Sequence, residues 1–90
     1  MDGVKFFAPG PGDLERFETF TFPKYRSVLH SMAESPDRVV AVAAEMADVP
    51  AGLVLAQMRA ADRAEILSLY VRPDLRGQGL GAMLLERIES

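Results

Sequence analysis

Apolar residues first gather at Val4 to Ala8, a run that predicts an opening strand and is stopped by Pro9-Gly10-Pro11-Gly12, residues that break any regular element. Asp13 then stands where a helix N-cap belongs, Glu15 suits the positive end of the helix dipole, and Leu14, Phe17 and Phe20 recur near helical spacing. Pro23 must end or reset that helix. Tyr25, Val28, Leu29 and Met32 repeat at i, i+3, i+4 and i+7, a second helix closed by Ser35-Pro36-Asp37. Arg38 to Ala44 and Leu53 to Met58 are two apolar runs separated by the turn residues Asp48, Pro50 and Gly52, which predicts an antiparallel hairpin. The run from Glu65 to Val71 is apolar at odd and even positions alike, so it reads as a central strand covered on both sides. Pro73-Asp74 ends it. After a glycine-rich turn, Leu80, Met83, Leu84 and Ile88 mark one face of a helix reaching the last residue. The expected order is β-α-α-β-β-β-α, a mixed α/β fold.

Composition narrows the function classes. Ninety residues, 49% hydrophobic and 26% charged, make one domain over residues 1–90, with no room for a second. Thirteen acidic against ten basic residues give a formal charge of -3 without a basic run, so nucleic-acid binding is not expected. The absence of cysteine removes disulfides, thiolate metal sites and thiol nucleophiles, and suits a reducing compartment. Met1 to Lys5 has an early acid and no apolar leader core, and no apolar run approaches the roughly 18 residues of a membrane span, so a cytoplasmic protein is expected. No metal-ligand spacing occurs, and His30, the only histidine, is assigned no role.

The chemistry concentrates in Arg76-Gly77-Gln78-Gly79-Leu80-Gly81-Ala82, between a strand and a helix. Such a turn lacks side chains where phosphates would approach the backbone, and its N–H groups point toward a helix start whose dipole favours anions. Arg72 and Arg76 are candidates for fixed positive charge beside it. The competing reading is structural: glycine also permits a tight strand-to-helix turn and nothing more.

Residues 65 to 86 resemble motif A of the GNAT acetyltransferases, in which a fourth strand leads into Arg/Gln-x-x-Gly-x-Gly/Ala and a third helix. The motif falls here as Arg76-x-x-Gly79-x-Gly81, and the preceding elements, with Gly52 opening the third strand, fit the same family. The resemblance implies that the backbone of Arg76, Gly77, Gln78, Gly79, Leu80, Gly81 and Ala82 binds the pyrophosphate of acetyl-CoA. It implies that Leu69, Tyr70 and Val71 pair with the pantetheine arm, and that a primary amine attacks the thioester directly, with the Val71 amide stabilising the oxyanion. Some members carry a carboxylate base on the fourth strand, which makes Glu65 a candidate, set against the ordinary reading of a solvated or paired charge.

The resemblance also implies what the chain does not contain: a fifth strand, a fourth helix and closing strands. The fourth strand would then be a bare apolar edge open to a second copy or a completing chain. The alternatives are a non-catalytic acyl-CoA-binding or dimerisation module and, less well supported, a dinucleotide-binding domain, since Gly77-x-Gly79-x-x-Ala82 also fits that fingerprint. Five residues between strand and glycine, and only eight after Ala82, count against the last. Phe17, Phe20, Phe22 and Tyr25 read as core rather than as an acceptor pocket.

Overall fold

The computed structural model describes residues 3–89, so the reading of Met1-Asp2 lies outside the described residues. Strands β1 (Val4–Phe7), β2 (Val39–Met46), β3 (Val49–Ala60) and β4 (Arg63–Val71) form one antiparallel sheet in the order β1-β2-β3-β4. Helices α1 (Pro11–Phe17) and α2 (Arg26–Ser31) lie between β1 and β2, and α3 (Leu80–Glu89) follows β4. Short 3-10 turns occupy Glu18–Phe20, Pro23–Tyr25 and Pro73–Leu75. The expected element order is present. No described helix is long and apolar enough to cross a membrane.

Three local expectations are corrected. Asp13 is not the N-cap: the helix begins at Pro11, a residue suited to the first helical position, and the Asp13 carboxylate accepts the Gly10 N–H at 3.0 Å from inside the first turn. The Pro9 to Gly12 cluster therefore starts a helix as well as ending a strand. The β2–β3 turn is Ala47-Asp48, both at positive φ (54° and 64°), while Pro50 and Gly52 lie within β3. Strand β4 is an edge among the described residues, not a covered centre, with Ile66 38% and Leu69 40% exposed. Its unbroken apolar run has a physical cause. Leu55 pairs with Ser68 but Ala56 pairs with Ile66, so Leu67 is an extra residue that resets which side its successors face.

The core has two compartments, one on each face of the sheet. Leu14, Phe17 and Leu29 from the α1–α2 side pack on Val39, Ala41, Ala43, Leu53 and Leu55. On the other face Leu80 and Leu84 of α3, with Leu75, pack on Ala44, Ala51 and Val54. Gly52 sets how closely α3 approaches: a Cβ there would lie 2.9 Å from Leu84 Cδ1 and 3.1 Å from the Tyr70 carbonyl oxygen. Arg16, which donates to Glu45 at 2.6 Å, ties α1 to the buried end of β2.

Candidate functional site

β4 delivers the chain to the glycine loop with its outer edge open. The Arg72 N–H donates to the Ala51 carbonyl at 2.8 Å, which makes Arg72/Ala51 a hydrogen-bonded pair of the antiparallel ladder. Such pairs alternate with pairs whose polar groups face away from the partner strand. Val71 opposite Gly52 and Leu69 opposite Val54 fall in the second class, so their N–H and C=O groups point off the sheet edge. The Val71 carbonyl is already used: the Arg76 Nε donates to it at 2.8 Å.

The 3-10 turn at Pro73–Leu75 reverses the chain, anchored by buried Leu75, and the loop then reaches α3 through Gly77 (φ 81°) and Gly79 (φ 88°). Side chains rarely adopt these angles, and open space surrounds the Cβ position at both. Gly79 accepts the first α3 bond, from the Met83 N–H at 3.1 Å. The amides of Leu80, Gly81 and Ala82 thus precede any intrahelical acceptor and carry the positive end of the helix dipole. A Cβ on Gly81 would stand 3.6 Å from Leu69 and 3.7 Å from Val71, so helix start and strand edge meet.

Residues 11–90 match the acetyltransferase (GNAT) family. The chain belongs to the GNAT acetyltransferase family. Among curated proteins no sequence match is found. Solved structures agree on the fold. AAC(6')-Iy in complex with a bisubstrate analogue, CoA-S-monomethyl-acetylneamine, superposes with a TM-score of 0.80 at 14% identity, over 96% of this chain and 69% of that one. The PaiA N-acetyltransferase from Thermoplasma acidophilum, in complex with coenzyme A, gives 0.74 at 16% identity, over 96% of this chain and 69% of that one. A ribosomal-protein-alanine N-acetyltransferase from Brucella melitensis gives 0.69 at 16% identity, over 94% and 68%. This GNAT chain thus spans about two thirds of their length.

Within the GNAT motif, Arg76 to Ala82 adjoin Leu69, Tyr70 and Val71, and the Arg76 guanidinium lies 5.3 Å from the Tyr70 ring centroid. Arg72 is directed elsewhere. It pairs with Asp74 at 2.6 Å and donates to the Pro50 carbonyl at 3.2 Å, so its charge is offset and it fastens the strand end to β3. Glu65 also stands apart, six residues up β4 from Val71, roughly 20 Å at strand rise. It accepts two bonds from Arg59, at 2.7 and 3.2 Å, and that pairing holds its carboxyl below the usual range. A lowered pKa opposes service as a general base.

Sequence reasoning missed one group beside the β4 edge. Beside Leu69 and Tyr70 lies a cavity of about 160 Å³ lined by Phe20, Phe22 and Pro23. Ser68 and Thr21, both buried, share a 2.6 Å hydroxyl hydrogen bond at its wall. Phe17 is core as expected, but Phe22 is 59% exposed. Pro23 was the available signal: it drives the residue before it into extended backbone, here φ -65° and ψ 146°, off any helical face.

Proposed function

We propose that this chain binds acetyl-CoA through the loop Arg76 to Ala82 and the edge of β4, and serves acetyl transfer to a primary amine in the cytoplasm. The observation that carries the reading is the meeting of two sets of free backbone donors at Gly81: the α3 start, suited to pyrophosphate, and the outward N–H groups of Leu69 and Val71, suited to an extended amide-bearing arm. A neutral amine attacks the thioester carbon, forming C–N while charge collects on the carbonyl oxygen. In this reading the Val71 N–H donates to that oxygen. Collapse breaks C–S, the nitrogen gives up a proton to solvent, and the thiolate takes one up. Glu65 enters as base only where Arg59 releases it.

Calorimetric titration of the chain with acetyl-CoA, and NADH as control, tests this. Saturable binding of acetyl-CoA alone is expected, and equal binding of NADH, or no acetyl-CoA binding, would overturn it. A second reading, a non-catalytic acyl-CoA-binding module that pairs with a second copy or a completing chain, draws on the exposure of Ile66 and Leu69 along the β4 edge. Release of free thiol in the presence of amines favours the enzyme, and a concentration-dependent dimer by light scattering favours the module.

A further inference from the structure

We infer that the acceptor carries its amine on an aromatic or bulky apolar group, and that Phe22 selects for it. The inference rests on the acetyl-transfer reading, because it places the acceptor in the cavity beside Leu69 and Tyr70, next to the strand edge where the thioester would lie. That cavity is walled by Phe20, Phe22, Pro23 and Tyr70, with Phe20 and Tyr70 ring centroids 4.7 Å apart. Phe22, one of the large apolar side chains left exposed in the fold, lines it. At about 160 Å³ it falls short of the roughly 300 Å³ at which drug-sized ligands begin, so it takes one ring or one branched side chain.

Charge argues in the same direction. The described lining contains no charged side chain; its polar side chains are the hydroxyl-bearing Thr19, Thr21, Ser68 and Tyr70, of which Thr21 and Ser68 bond each other. Cations flank it: Lys24 lies 5.0 Å from the Tyr25 ring, next in sequence to Pro23, and Arg76 lies against Tyr70. Glu18, the nearest acid in sequence to the Thr19–Pro23 wall, is paired with His30 at 3.0 Å. A polyamine or aminoglycoside would bring several positive charges to a described lining that holds no carboxylate to receive them. A monoamine on an apolar body gains from burial, and the same desolvation favours its neutral, attacking form. The hydroxyl pair can accept its remaining N–H.

The test is a ¹H–¹⁵N NMR titration of the full chain with phenethylamine, spermidine and acetyl-CoA in turn. Phenethylamine should shift the amides of Thr21, Phe22, Ser68 and Tyr70 and bind at least about tenfold more tightly than spermidine. Phe22→Ala should weaken it about tenfold and Phe22→Leu should restore part of that, with acetyl-CoA shifts at Gly79 and Gly81 unchanged as a check on the fold. Spermidine binding as tightly, phenethylamine shifts located elsewhere, or indifference to Phe22→Ala would each overturn the inference. Loss of acetyl-CoA binding alone would sink the preceding reading and leave the cavity's preference standing.

Discussion

The two faces of the sheet are built on different terms. On one, a ten-residue helix lies against the strands so closely that position 52 has room for glycine only, and its start meets the strand edge at Gly81. On the other, α1 and α2 have seven and six residues, are joined by 3-10 turns, and are filled with aromatic rings. The first arrangement fixes backbone amides in space, as binding a common chemical group requires. The second leaves Phe22 outside the core and a small cavity behind it, a surface that can vary without disturbing the strand edge.

The contrast is broken or sharpened most strongly by truncating one side chain on each face. Leu84→Ala, in the fully buried α3 face, should cost about 2–5 kcal/mol in urea unfolding, whereas Phe22→Ala should stay within about 0.5 kcal/mol. Equal losses would erase the distinction. Gly52→Ala should cost about 1–3 kcal/mol by forcing Leu84 and the Tyr70 carbonyl away, read as a lowered Tm. In the loop, Gly79→Ala should cost about 1 kcal/mol from its positive φ and weaken acetyl-CoA in calorimetry. Gly81→Ala has room for its Cβ and should add up to about 1 kcal/mol of stability.

The smallest effect concerns pH. Arg59 lowers the Glu65 carboxyl and Arg72 lowers that of Asp74, so each pair adds stability above the ordinary carboxylate range and loses it as pH falls through the depressed folded value. Arg59→Ala should therefore reduce stability slightly at neutral pH and leave it unchanged in acid, where Glu65 is protonated in both forms. Paired denaturation curves at the two pH values would show this, and an equal loss at both would point to lost packing instead.

How much of this was legible follows from the range of the forces involved. The loop could be read because its glycines answer a local demand: Gly77 and Gly79 hold backbone angles that other residues resist, and the helix they open has its own periodicity. The element order was legible for the same reason. The edge status of β4 was legible through the family resemblance but not from its own pattern, since a single extra residue, Leu67, produces a two-sided apolar run that resembles a buried strand. Nor was the fate of Glu65, which depends on hairpin register bringing Arg59 within reach. The Thr21–Ser68 pair joins residues 47 apart, beyond any spacing rule.

The bond from Arg76 to the Val71 carbonyl has a consequence for solubility. An apolar strand edge with unpaired amides is a template on which further copies stack, and proteins commonly blunt such edges with a charged side chain. Arg76 sets its cation at the end of β4 and occupies the last outward carbonyl, so a strand that docks there finds no free acceptor at Val71. The guanidinium thereby acts as a punctuation mark on the sheet, setting a charge where the strand's outward acceptors end.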